Sequence, residues 1–127
     1  MSEIAKDMIV QYILIRGDLL RVLKWPFGAV IAQACHGCTA VTHLYYDDEY
    51  TQEYLKDINN MHKIVLEVPD ENAINDLAHY LEKNHIKHKL WMEQPENIPT
   101  CLIVKPYPKS LVQSYFKKLK LFKGNME

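Results

Sequence analysis

The sequence predicts an α/β fold: a three-layer α-β-α sandwich around a four-stranded mixed sheet, with elements in the order β-α-α-β-α-β-β-α. Three observations carry that expectation. Apolar, β-branched runs alternate with stretches of helical periodicity, which places helices on both faces of a sheet. The runs at residues 8–15 (MIVQYILI) and 100–105 (TCLIVK) are almost continuously apolar, as strands buried on both faces are. The segment between residues 93 and 100 is too short for a crossover helix, so the last two strands are expected to be antiparallel neighbours.

Taken in order, the first strand (residues 8–15) ends at Arg16-Gly17-Asp18, and a loop over 19–27 leads past Trp25 and Pro26. Residues 28–44 are nearly continuous Ala, Val, Ile and Cys, over a length that fits a buried helix rather than a strand. Residues 48–59 form a polar second helix, opened by its acidic residues and closed by Asn59-Asn60. KIVLEV, residues 63–68, is a strand stopped by Pro69. Asp70 caps a helix in which Ile74, Leu77, Ala78 and Leu81 recur at helical spacing, with Asn84 at its end. Residues 87–93 and 100–105 are two further strands, joined by QPENIP. Pro108 precedes a final amphipathic helix over 109–120, with Leu111, Val112, Tyr115, Phe116 and Leu119 on its apolar side. With 127 residues and neither repeat nor linker, the chain is expected to be a single domain with its core at about residues 8–123.

Composition narrows the function classes. The chain is 48% apolar and 24% charged, an ordinary globular balance. No apolar run reaches the roughly 18–20 residues of a bilayer span. The N-terminal stretch MSEIAKDMIVQY carries acids where a secretory signal carries bases. Three cysteines, an odd number without a disulfide framework, fit a reducing compartment, and a cytoplasmic location is expected. The net charge is −1, but from Lys105 onward the cations Lys105, Lys109, Lys117, Lys118, Lys120 and Lys123 are balanced only by Glu127. Such a block can present a basic surface to nucleic acid, and it is also what the solvated face of a lysine-rich helix looks like.

The predicted helix over 28–44 carries a polar stripe. At about 100° per residue, Gln33, His36, Thr39 and His43 fall within roughly one third of its circumference. Burying such groups unpartnered costs a few kcal/mol each, so the stripe is expected either to be hydrogen-bonded or to line a cleft. Pro26 and Gly28 stand at the helix start, where unpaired N–H groups offer an anion site. Cys35-His36-Gly37-Cys38 lies a turn or more into the helix, away from the dipole that stabilises a redox thiolate. No second ligand pair stands at zinc-finger spacing, and His85 and His88 at a helix–strand junction have no cysteine near. Cys35 and Cys38 are therefore expected as buried small side chains. No nucleophile elbow, P-loop or GxGxxG occurs.

Placed in order, these pieces resemble the archaeal and eukaryotic type of peptidyl-tRNA hydrolase. The likeness runs from about Ile9 to Lys123 and is carried by YILIRGDL, GAVIAQACHG, KIVLEVPDE, TCLIVKPYP and KLKLF. The loop LWMEQPENI adds a likeness to the divergent eukaryotic branch of peptidyl-tRNA hydrolase domain-containing proteins. The resemblance implies a three-layer sandwich, commonly homodimeric. It implies cleavage of the ester between a peptide and the 3′ ribose of tRNA by an activated water, without metal or cofactor. It marks Gln33 as the residue that orients substrate or water, His36 one turn later, and Thr100 at the opening of the last strand. Glu93 stands nearest to a family aspartate. Gly28, Lys105, Lys117, Lys118 and Lys120 become candidate tRNA contacts.

The departures from that pattern bear on the chemistry. The family has a lysine directly after the glycine at position 28, where this chain has Ala29. Glu93 is one methylene longer than the family aspartate, and residues 94–99 form a shorter loop with no threonine before Thr100. Lys24 or Arg21, in the preceding loop, is expected to supply the missing positive charge. Two roles follow: a peptidyl-tRNA hydrolase with a modified site, or a catalytically impaired member that binds tRNA or a protein partner.

Overall fold

The structure is a computed structural model that describes residues 7–125. The first half of the N-terminal stretch MSEIAKDMIVQY, residues 1–6, and Glu127 lie outside the described residues. Strand β1 (Ile9–Arg16) is followed by a single helical turn, α1 (Asp18–Arg21), and the long helix α2 (Phe27–Leu44). Helix α3 (Glu49–Lys56) and a 3₁₀ turn (Ile58–Asn60) lead to β2 (Lys63–Val68). Helix α4 (Glu71–Lys83), the hairpin β3 (His88–Glu93) and β4 (Ile98–Val104), and the short β5 (Tyr107–Pro108) come next. One turn of helix, α5 (Lys109–Val112), a 3₁₀ turn (Gln113–Tyr115) and β6 (Lys120–Leu121) close the described chain.

The sheet runs β3-β4-β1-β2-β6, with β5 paired to the start of β1. Strands β1 and β2 are parallel, while β4 runs antiparallel to both β1 and β3, and β6 antiparallel to β2. The near-continuous apolar run of β1 has its explanation in the two faces it serves. Val10, Tyr12 and Leu14 pack with Ile74 and Leu81 of α4 and with Val112 and Phe116. Ile13 and Ile15 pack with Val30 and Val41 of α2. Strand β4 divides likewise, Leu102 and Val104 to one layer and Cys101 and Ile103 to the other. Gly37 lets α2 lie close to β4, because a Cβ there would collide with Ile103 Cδ1.

The expected caps are present. Asp48 accepts from the N–H groups of Tyr50 and Thr51, and Asp70 accepts from Ala73 N–H. Two expectations need correction. The sheet has six strands in place of four, because two two-residue strands, β5 and β6, extend it. The expected final helix over 109–120 is also broken, since only one α turn and one 3₁₀ turn form there. The cause is that this segment must change sides. Val112 and Phe116 are buried in the α4 layer, while Phe122 packs in the α2 layer. A straight helix cannot serve both, so the chain turns at Lys117-Lys118 and lays Lys120–Leu121 along the open edge of β2. Leu111, expected on the apolar side, is 52% exposed.

Candidate functional site

The carboxyl ends of β1, β2 and β3, the start of β4 and the first turns of α2 converge at one end of the sheet, where ligands of α/β folds commonly sit. One transverse row of residues crosses it: Trp91, Cys101, Ile15, Glu67 and Lys120 are successive register partners from β3 to β6.

Thr100 owes its orientation to an irregularity beside this row. Trp91 pairs with Cys101, yet Met92 pairs with Pro99, so Thr100 is the extra residue of a bulge. Consecutive residues of a regular strand point to opposite faces. Here Thr100 and Cys101 both reach α2: the Thr100 hydroxyl donates to Gln33 Oε1 at 2.9 Å and the Cys101 thiol donates to the Gln33 carbonyl at 3.3 Å. Gln33 is 2% exposed and Thr100 is fully buried. Gln33 Nε2 donates back to Ala29 O at 3.3 Å, so both ends of the amide are engaged. Burial pushes the Cys101 thiol up to about 12, which keeps it a protonated donor.

In front of this buried pair lies a more open layer. The exposed His36 ring stacks on Trp91 with centroids 5.0 Å apart and planes at 26°. The Trp91 indole N–H donates to Glu93 Oε1 at 3.1 Å. Glu93 is half-buried at the mouth of the β3–β4 turn, where its carbonyl accepts from Asn97 N–H at 2.7 Å. The second carboxylate oxygen of Glu93 accepts no hydrogen bond among the described residues. Five side chains from three elements thus form two layers, Gln33–Thr100 within and His36–Trp91–Glu93 without.

The predicted cations divide. Arg21 is committed to Glu67 through an ion pair of 2.6 Å, on the β2–β6 side of the sheet. That pair occupies the space a side chain at residue 17 would fill, so a larger residue there would push the tips of Arg21 and Glu67 aside. Lys24 is exposed, with left-handed backbone (φ 59°), and none of the ion pairs among the described residues includes it. Gly28 is exposed at the start of α2 with open space beside its Cα, and Pro26 caps that helix without a side-chain hydrogen bond. Lys105 lies buried beyond the far end of β4, about 17 Å along the strand from Thr100. Its ammonium donates to Asp48 at 2.7 Å and to Pro106 O at 3.0 Å, and stands 3.8 Å from the Tyr107 ring centre. Burial holds this lysine below its ordinary value, against the pull of Asp48. Lys117, Lys118 and Lys120 are exposed, the first two beside Pro69 and Ala73 and the third opposite Glu67.

Of the polar stripe, Gln33 alone is buried, whereas His36, Thr39 and His43 face outward. The expectation of two buried cysteines is corrected: Cys35 is exposed and Cys38 half-buried. Both line an apolar groove of about 370 Å³ with Ile31, Val65 and Phe122, on the flank of α2 nearer β2. Two contributors escaped the sequence reading. Trp91, which joins His36 to Glu93, was visible only as the residue two places before Glu93 on one strand. Arg16, buried at the end of β1, forks onto Asp18 with two 2.9 Å bonds and donates to Pro99 O at 2.8 Å, fixing the chain just before Thr100. Its signal was the Arg-Gly-Asp spacing at a strand end. Among the described residues no three His, Cys, Asp or Glu side chains gather as a metal site, and no helix is long and apolar enough to cross a membrane.

Residues 9–122 match the family described as "Peptidyl-tRNA hydrolase PTH2". A Mus musculus protein named "Putative peptidyl-tRNA hydrolase PTRHD1" is 46% identical over 123 residues, covering 96% of this chain and 88% of that protein. The Homo sapiens protein of the same name is 48% identical over 118 residues, covering 92% of this chain and 84% of its own length. The chain belongs to the PTH2 family of peptidyl-tRNA hydrolases.

Proposed function

We propose that this PTH2-family chain hydrolyses the ester between a peptide and the 3′ ribose of tRNA, with Glu93, His36, Gln33 and Thr100 as its working residues. The observation that carries this reading is the meeting of these four side chains, spread from position 33 to position 100, at one end of the sheet. Glu93 is oriented through one oxygen by Trp91, which leaves the other to accept the proton of an attacking water. The water oxygen adds to the ester carbonyl, the ester C–O bond breaks, and the proton passes to the departing ribose oxygen. Neither metal nor cofactor enters these steps. His36, stacked beside Glu93 on the same indole, flanks the approach of the substrate. Gln33 and Thr100, being buried and bonded to each other, act as positioning residues behind the reacting group. Lys24 and the free N–H groups of the first turn of α2 at Gly28 supply positive potential for the developing oxyanion. Lys117, Lys118 and Lys120 hold the tRNA backbone, and the same reading has the protein work in the cytoplasm as a homodimer.

The test is turnover of an N-acetyl-aminoacyl-tRNA by the full chain. Glu93→Gln is expected to lower kcat about 10²–10⁴-fold with a smaller change in KM. A clean preparation that leaves the ester intact, beside an active family member, defeats the reading. A second reading, a catalytically impaired member that binds tRNA or a protein partner, is favoured by Ala29 and by the commitment of Arg21 to Glu67. It predicts tRNA binding that weakens steeply with salt and with charge reversal at Lys117, Lys118 and Lys120, without ester cleavage.

A further inference from the structure

On the sheet face opposite Gln33, a cleft of about 630 Å³ runs between α4 and the turn that follows α5. Its floor is apolar, formed by Val68, Ala73 and Leu77. Tyr80 lines it from α4 and is 53% exposed. Tyr115 meets Tyr80 edge-on, with ring centroids 5.5 Å apart and planes at 66°. An edge-on neighbour leaves a flat face of the tyrosine pair without an aromatic partner. Lys117 and Lys118 stand on the rim, exposed, and neither joins an ion pair among the described residues. Asp76 lines the same cleft.

We infer that this cleft is a subsite for an unpaired nucleobase of RNA, the base stacking on Tyr80 and its phosphate lying against Lys117 and Lys118. A half-exposed aromatic face beside unpaired cations is the arrangement by which single strands are held: π-stacking for the base and charge for the backbone. Asp76 accepts a hydrogen bond from an exocyclic amine or a ribose hydroxyl. An acidic protein surface would satisfy the lysines but make no use of the open ring, and a lipid chain would leave Asp76 buried without a partner. Beyond the cleft, Lys120 lies on β6 opposite Glu67 and Lys123 beside it, so the cations continue round the sheet edge toward the end where Gln33 and Glu93 lie. The choice of RNA rests on the reading of the chain as a tRNA-ester hydrolase, whereas the tyrosine platform stands without it.

The experiment is fluorescence anisotropy of a labelled single-stranded RNA octamer with the full chain, over a salt series. Tyr80→Ala is expected to raise Kd about 5- to 150-fold with the salt slope unchanged. Tyr80→Phe keeps the ring and should bind as the parent does. Lys117→Gln should instead reduce the salt slope by about 0.7. An octamer with an abasic position should bind the parent more weakly and show no further loss with Tyr80→Ala. Binding that is lysine-dependent but indifferent to Tyr80 and to the abasic position overturns the subsite and leaves the tRNA reading standing. Cytidine 5′-monophosphate binding as tightly as the octamer also overturns it, in favour of a free-nucleotide site. No binding of the octamer overturns the subsite, while turnover of N-acetyl-aminoacyl-tRNA decides the hydrolase reading separately.

Discussion

Replacing Thr100 by valine removes one hydroxyl while nearly preserving the shape of the side chain. The hydroxyl donates to Gln33 Oε1 at 2.9 Å, and both residues are buried, Thr100 fully and Gln33 to within 2%. No solvent can reach the carbonyl oxygen of the Gln33 amide to replace the lost donor. Its other end is already bound to Ala29 O at 3.3 Å, so a flip of the amide would break that bond as well. Thr100→Val should therefore destabilise the fold by about 1–3 kcal/mol, the cost of an unsatisfied buried acceptor. For a domain of this length that corresponds to a fall in Tm of about 4–11 °C. Urea unfolding followed by tryptophan fluorescence reads the change as a lower midpoint at constant slope. The double variant Gln33→Met with Thr100→Val removes donor and acceptor together and should recover part of the loss, giving a coupling of about 1 kcal/mol or more. A Thr100→Val protein within 0.5 kcal/mol of the parent, or strictly additive losses, would refute the view that this pair is a closed hydrogen-bonded unit.

Ala29→Lys places a cation where the family carries one and is expected to raise kcat on N-acetyl-aminoacyl-tRNA about 10²–10³-fold. A lysine in the first turn also opposes the dipole of α2, so a thermal melt should show a loss of about 0.3–1 kcal/mol. An unchanged kcat would mean that charge at this point does not limit the reaction. Asp48 supplies a pH prediction. Burial alone would raise its carboxyl, but the Lys105 ammonium and the N–H groups of Thr51 and Tyr50 together hold it below 3.8. A depressed carboxyl contributes its full stabilisation above the unfolded value, and loses it as pH falls through the lower folded value. Asp48→Asn keeps the cap and drops the charge, so it should melt below the parent at neutral pH, with the gap closing under pH 3.8. A gap that stays constant with pH would show that the charge contributes nothing. Gly37→Ala drives a methyl into Ile103 and should destabilise by about 1–3 kcal/mol in urea unfolding, whereas a neutral result would show that α2 can lift from β4.

Some of this architecture is legible in the residues because its cause is local. The two-faced strand at 9–16, the long apolar helix and the acidic caps at Asp48 and Asp70 each follow from a pattern within a few positions. The antiparallel hairpin before Val104 follows from the shortness of its connection. Other features arise only when distant segments meet. Lys105 reads as one more cation of a basic tail until Asp48, far back in the chain, draws it inward. Arg21 reads as a free charge until Glu67 claims it. Strand β6 has two residues and thus no periodicity, and it forms because β2 offers an open edge. The bulge that turns Thr100 toward Gln33 leaves no mark on the composition of β4. Among the site residues, then, the identity of Gln33 was legible from its apolar surroundings, but its partner was not.

The row from Trp91 to Lys120 has a further consequence, for the choice among competing strand alignments. Sheets rich in Val, Ile and Leu on both faces discriminate poorly between neighbouring registers, since every offset buries some apolar side chain. Glu67 is an exception in β2, lodged among Leu66, Val68 and their neighbours and neutralised by Arg21 on one side only. A slip of one position would turn its carboxylate to the opposite face, away from Arg21 and against Leu14 and Phe116, at a cost of a few kcal/mol. The Arg21–Glu67 pair therefore works as a key that admits one alignment of β2 against β1. Through that alignment it sets where the lysine edge stands relative to Glu93, four strand spacings or about 19 Å across the sheet.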